Sequence, residues 1–291
     1  MLDDMTREDS TIASALQRAV EVIAAADALL ITAGAGMGVD SGLPDFRGAE
    51  GFWNAYPPYR NLDLHFDELA NPDLLARDPA LAWGFYGHRL NLYRKTPPHA
   101  GFSILRRWAE KKPHGYFVFT SNVDGHFERA GFPAARVVEC HGSLQYLQCA
   151  ARCRNDCWPA DGASVAVDHQ TMRATAGLPQ CIHCNSIARP NVLMFSDMHW
   201  VRARSDAQYA LYERWLTSFG EDHPARLAVV EFGAGKAIPK VRVEGQCTAD
   251  RVGGTLIRIN PREASTPDNH IAISLGALDA IQRIEELLRH Y

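Results

Sequence analysis

Six short apolar runs, at 28–32, 116–120, 136–140, 227–231, 256–260 and 270–273, recur along this chain. Runs that are mainly apolar, rather than alternating, suit strands buried on both faces. Helical stretches lie between or beside them, for example 100–108 and 277–290, and Ser10 or Thr11 is placed to cap a first helix. In that helix Ile12, Leu16, Val20 and Ile23 keep the 3.6-residue period. Strands separated by helices predict a parallel sheet with covered faces, a Rossmann-like doubly wound α/β layer.

Two stretches break the alternation. Residues 54–98 are rich in Pro, Tyr, Trp and Leu, with 78–94 reading as a helix. Residues 143–189 hold most of the cysteines around a Gly/Ala/Asp-rich middle, 160–177, that reads as a loop. The expected organisation is a main domain built from 10–53, 99–142 and 190–291, with 54–98 and 143–189 inserted to form a smaller one. A length of 291 residues accommodates both.

Charge and hydropathy narrow the function. Thirty basic against 34 acidic residues give a net charge of −4, which supplies no polycationic surface, so direct nucleic-acid binding is not expected. The longest apolar run, 23–37, is broken by Asp27 and is too short and glycine-rich to span a bilayer. The acidic start lacks the apolar stretch of a secretion signal. A cytoplasmic protein with no membrane partner is expected, and its oligomeric state is not legible.

The first strand run ends in Gly34, Ala35, Gly36, Met37 and Gly38. Glycines there allow close backbone approach to a pyrophosphate, yet they also simply make turns. Val39 stands where a third glycine would complete the dinucleotide fingerprint, which disfavours a plain dehydrogenase. Further on, Asp45, Phe46 and Arg47 offer an acceptor, an apolar shield and a fixed cation together. A turn with an exposed Asp–Arg pair reads equally well.

His141 follows a strand run, at the sheet edge where α/β proteins bind ligands, and neutral imidazole suits a general base. Six of the seven cysteines fall between Cys140 and Cys184. Cys149 with Cys153 and Cys181 with Cys184 make two short pairs suited to a tetrahedral structural zinc, with Cys157 a rival to Cys153. Cys140 and Cys247 read as packing residues. Tyr86 and Arg89 share one face of helix 78–94, so phenol and guanidinium can converge.

The run from Gly34 to Gly48 resembles the NAD-binding signature of the sirtuin family. Thr120-Ser121-Asn122-Val123-Asp124, Glu139-Cys140-His141-Gly142-Ser143 and Arg189-Pro190-Asn191-Val192-Leu193-Met194-Phe195 match three further sirtuin motifs in order, and the likeness spans about 12–290. It implies an NAD-dependent protein lysine deacylase. In such enzymes the acyl-lysine oxygen attacks the nicotinamide ribose, nicotinamide leaves, and the histidine activates a ribose hydroxyl. Free lysine and O-acyl-ADP-ribose result. The resemblance makes His141 the base and lets Asn122 hold the ribose and Asp124 the nicotinamide amide. Gly34, Ala35, Gly36, Met37, Asp45, Phe46, Arg47, Ser121, Gly233, Gly235 and Asn260 would line the NAD site, Phe46 covering the anomeric carbon and Asn260 the adenosine ribose.

It further implies a zinc ribbon on Cys149, Cys153, Cys181 and Cys184, and acylated-lysine proteins or peptides as partners. Val192 and Phe195 would lie in an edge, 191–197, on which a substrate peptide adds as a strand. Tyr86 and Arg89 resemble the pair that binds the acyl carboxylate in desuccinylases and demalonylases. Three departures matter: Ser121 replaces a usual Gln, Gly38 a usual Ser or Thr, and Gly233-Ala234-Gly235 a usual Gly-Thr-Ser. They keep alive two alternatives: protein ADP-ribosylation or NAD hydrolysis, and a non-enzymatic NAD-sensing module.

Overall fold

Every one of the six apolar runs becomes a strand of one parallel sheet. A computed structural model describes residues 2–44, 52–54, 56–61, 63–219 and 226–291, with the backbone alone at 2–9. In chain order the first elements are α1 (Leu2–Ala25), β1 (Ala28–Ala33), α2 (Pro57–Asn61), α3 (Phe66–Leu69), α4 (Pro72–Arg77), α5 (Pro79–Lys95) and α6 (Ala100–Glu110). Then come β2 (Tyr116–Thr120), α7 (His126–Arg129), β3 (Val137–Glu139), β4 (Gly142–Cys149), β5 (Cys157–Pro159), β6 (Val167–Asp168), β7 (Arg173–Ala174) and β8 (Ala188–Val192). The chain closes with α8 (Ala203–Thr217), β9 (Leu227–Phe232), α9 (Lys240–Val252), β10 (Thr255–Ile259), β11 (Ile271–Ile273) and α10 (Ala277–Leu288).

The strand order of the large sheet is β11-β10-β9-β1-β2-β3. Alternate side chains of each strand face opposite ways. Leu29 and Ile31 join a core with Leu16, Val20, Phe102, Leu105 and Ile281 from α1, α6 and α10. Ala28 and Leu30 join Tyr212, Trp215, Val241 and Ala249 from α8 and α9. Both faces are therefore covered, as mainly apolar strands require. The chain passes from β1 outward to β2 and β3, then returns to place β9 on the other flank of β1. The order reverses between β1 and β9, where open α/β sheets form their ligand crevice.

Residues outside that sheet build a separate core, in which Phe52, Tyr59, Trp83, Phe85 and Leu90 pack with Leu144, Leu147 and Val165. A second, antiparallel sheet has the order β5-β4-β8. Asp78 caps α5 by accepting from Leu81 N at 3.1 Å, and Pro79 follows at the first helical position.

Three expectations are corrected. The first helix begins at Leu2, so Ser10 and Thr11 lie inside it; a helix continues through polar residues where no apolar period marks it. The stretch 160–177 contains the β6–β7 hairpin, whose Met172 carbonyl lies against Gly84 of α5, where a Cβ would come within 1.9 Å. Cys247 is exposed rather than packed, because it sits on the outer face of α9.

Candidate active site

A cleft of about 580 Å³ opens at the carboxyl ends of the strands. Gly34 and Ala35 after β1, Ser121, Asn122 and Asp124 after β2, His141 after β3, and Gly233 and Gly235 after β9 all line it. The loops after β1 and β9 touch backbone to backbone. A Cβ on Gly34 would lie 2.7 Å from Ala234 Cα, and one on Gly233, which has φ +56°, 2.4 Å from Gly36 Cα. Only glycine fits either position. Such a side-chain-free wall at a strand reversal is what a diphosphate requires.

Local bonds hold the loop after β2. Thr120 Oγ1 donates to Ala33 O at 2.9 Å and accepts from Asn122 N at 3.0 Å. Asn122 Nδ2 donates to Gly34 O at 2.9 Å, tying the second strand's loop to the first. Asp124 is buried, and its Oδ1 accepts from His126 N at 2.8 Å. One carboxylate oxygen thus fixes the turn.

His141 is placed by the edge strand before it and the chain beyond β8. Where β3 has no further strand beside it, α8 supplies side chains instead: Gln208 Oε1 accepts from Glu139 N at 3.1 Å, and Ser205 Oγ donates to Glu139 O at 3.0 Å. The His141 carbonyl accepts from Leu193 N at 2.9 Å. Burial, then the Lys240 ammonium, push the imidazole below its ordinary pKa. A neutral ring results, as a base requires.

The same cleft is lined by Tyr86, Arg89 and Tyr93 of α5 with Val192, Met194 and Phe195. Arg89 is only 7 % exposed and lies over the rings of Phe85, Tyr93 and Phe66, at 5.1, 5.4 and 5.9 Å. Its Nε and Nη2 donate to Tyr93 Oη at 3.0 and 2.8 Å. Tyr86 Oη is buried with no hydrogen-bond partner among the described residues, and burial pushes the phenol up to about 12. A buried guanidinium beside an unsatisfied hydroxyl is poised for an oxygen-rich ligand.

The four cysteines Cys149, Cys153, Cys181 and Cys184 bring their sulfurs within 4.8 Å of one another. Cys149–Cys184 and Cys153–Cys181 sulfurs are 3.6 and 3.5 Å apart. Tetrahedral zinc with ~2.3 Å bonds needs sulfurs roughly 3.8 Å apart, so the group fits that ion. Hydrogen bonds from Ser186 hold the Cys184 thiol down to about 6, favouring the thiolate a metal binds. Cys157, on β5, is outside the group.

Not every expected residue reaches the cleft. Gly36 and Met37 lie behind its wall: Gly36 N donates to Gly233 O at 3.1 Å, and Met37 is buried. Asn260 is also behind it, with Nδ2 donating to Ala234 O at 3.0 Å and Oδ1 accepting from Arg262 N and Glu263 N. Its amide holds the loop that forms the wall. Asp45, Phe46 and Arg47 fall outside the described residues. Tyr93 and Lys240 were missed; the helix period points to Tyr93, one turn beyond Arg89, but no sequence signal brings Lys240 to His141.

The Sir2 family model matches residues 34–211. An NAD-dependent protein deacylase of Aquifex aeolicus (strain VF5) is 31% identical over 239 residues, 82% of this chain and 84% of that one. NAD-dependent protein deacylase 1 of Archaeoglobus fulgidus is 29% identical over 94% of this chain and 97% of its own. Among solved structures, a Sir2 homolog–NAD complex superposes with a TM-score of 0.67 at 26% identity, covering 94% of each chain.

Proposed function

This chain belongs to the Sir2 family, and from that premise we propose how its cleft works as an NAD-dependent protein lysine deacylase. One observation carries the reading: His141, Asn122, Asp124 and the two interlocked glycine loops, from four different strands, converge at the reversal of strand order. The interlocked loops fit a dinucleotide, whose nicotinamide–ribose bond is the activated linkage that the acyl oxygen displaces.

The roles divide by position. Gly34, Ala35, Gly233 and Gly235 accept the diphosphate against bare backbone. Asn122 orients the ribose and Asp124 the carboxamide, which supports departure by positioning. His141, kept neutral by burial and by Lys240, takes the proton from a ribose hydroxyl. Val192 and Phe195 guide an acyl-lysine peptide along the chain at β8, an edge strand of its sheet. Tyr86 and Arg89 favour acyl groups that end in a carboxylate, such as succinyl or malonyl, and acetyl-lysine is the smaller alternative.

The four cysteines hold a structural zinc with every position filled by protein, so the metal does no chemistry. Residues 54–98 and 143–189 form the smaller domain around it. No described helix is long and apolar enough to cross a membrane. The proposal extends to a cytoplasmic enzyme acting on proteins, without nucleic-acid or membrane partners.

Mass spectrometry of acetyl- and succinyl-lysine peptides incubated with NAD tests the reading. O-acyl-ADP-ribose is expected, and His141→Ala should abolish it while ADP-ribose still binds. Ala234 and Gly235 in the wall, where hydroxyls are usual, favour a second reading, ADP-ribosyl transfer or NAD hydrolysis. Nicotinamide release without peptide and independent of His141 would establish that one instead.

A further inference from the structure

The loop after β9, Gly233-Ala234-Gly235, carries no side-chain hydroxyl, yet a charged group stands directly behind it. Glu231 of β9 and Arg258 of β10 are register partners, and Arg258 Nε and Nη2 meet the two carboxylate oxygens at 2.5 and 3.2 Å. A second guanidinium, Arg242 of α9, reaches the same carboxylate at 4.0 Å. Glu231, Arg258 and Arg242 are 0, 3 and 8 % exposed. Two cations share one anion, and burial together with Arg258 pushes the Arg242 pKa down. Buried charge of this kind is costly unless it is paired and its remaining donors are hydrogen-bonded.

Arg242 spends its remaining donors on the cleft wall. Its Nη1 donates to Ala234 O at 3.1 Å and Glu263 O at 2.8 Å, and its Nη2 to Ser265 O at 3.3 Å. Asn260 Nδ2 also donates to Ala234 O. A trans peptide points its C=O and N–H in opposite directions. With the Ala234 carbonyl drawn back toward Arg242, the N–H of Gly235 faces the other way, toward the cleft that Ala234 and Gly235 line.

We infer that Arg242 is the positioning residue of the diphosphate subsite. It turns the Gly235 amide into the cleft and, because it shares Glu231 with Arg258, leaves that buried cluster one positive charge in excess behind the loop, with the Glu263 carboxylate also facing Arg242. That charge and that amide take the place of the missing hydroxyls. Other charges on this wall are Lys236, Arg262 and Glu263, whose Oε2 accepts from Lys236 N at 3.0 Å. The inference rests on the NAD reading above.

Calorimetry of ADP-ribose and of nicotinamide binding to the full zinc-loaded chain tests it. Removing a positive charge from behind the wall weakens its attraction for an anionic diphosphate, by about tenfold or more even where solvent screens most of the interaction. Arg242→Gln should weaken ADP-ribose about tenfold and raise KM for NAD with kcat kept, while nicotinamide binding is unmoved. Glu231→Gln, which leaves more positive charge, should tighten ADP-ribose, and the double variant should return near the unmodified value. A merely structural ion pair gives no such opposite signs. If Arg242→Gln fails to fold, Glu231→Gln alone decides by its sign. Weakening by Glu231→Gln, or no change with a folded Arg242→Gln, overturns the assignment. Failure of the unmodified chain to bind ADP-ribose would instead overturn the NAD reading on which it stands.

Discussion

Arg89 spends two of its donors on one acceptor, the Tyr93 phenol oxygen, from the same helix and the same wall of the cleft. The contact fixes the plane of a guanidinium that also lies over three aromatic rings. A hydrogen bond to a charged group contributes about 1.5–3 kcal/mol. Tyr93→Phe removes it with little change of volume. Desuccinylation kcat/KM should fall about tenfold to a hundredfold, with deacetylation within about twofold of the parent. Arg89→Met should lose the acidic acyl preference altogether. Equal loss on acetyl and succinyl peptides would show that Tyr93 supports packing only.

His141 titrates below its ordinary value because it is buried and because Lys240 repels a second cation. Lys240 is itself held by Glu244 at 3.5 Å and over the rings of Phe119 and Tyr209. A base acts when deprotonated, so activity should persist as pH falls through about 6.5 and fail only below it. Lys240→Met removes the repulsion, and the acid limb of kcat/KM should move upward. A limb that stays in place would show that burial alone sets the imidazole.

A zinc at the four cysteines would tie the smaller sheet together. Cys149 and Cys153 flank the turn after β4, and Cys181 and Cys184 precede β8, so the metal cross-links the strands of the smaller sheet. Cys181→Ser, or strong chelation, should eliminate the roughly one zinc expected per chain and lower Tm. Cys157→Ser should keep the metal. Zinc retained by Cys153→Ser and lost from Cys157→Ser would reverse the ligand assignment.

The strands were legible because burial on both faces demands mainly apolar segments, which is why 28–32 and 116–120 stand out. Cysteine pairs were legible because a metal imposes short spacings. The orientation of Asn260 was not, since its amide donates to the carbonyl of Ala234, in the loop after a different strand. Nor was the burial of Arg89, because a cation in a helix reads as exposed until its aromatic neighbours are assembled. The Glu231–Arg258 pair hides for another reason. It is a cross-strand contact between segments separated by a whole helix.

His99 joins that helix-to-loop architecture at the N-terminus of α6, and its bonds demand a neutral ring. Nδ1 accepts from Gly101 N at 3.0 Å, so the proton resides on Nε2, which donates to Met37 O at 3.0 Å. Gly101 makes room, since a Cβ there would come within 2.6 Å of the imidazole. Burial, against partial opposition from the Met37 carbonyl and Asp40, holds the pKa below the ordinary value. The unfolded chain therefore takes up a proton first as pH falls through about 6.5. Stability is present above that value and is lost progressively toward the lower folded pKa. Asn can still cap α6 through its side-chain oxygen but cannot titrate. His99→Asn should thus lower Tm at neutral pH, through the lost bond to Met37, and flatten its fall below about pH 6.5. A parent and variant whose Tm curves run parallel across that window would show that the acid sensitivity resides elsewhere.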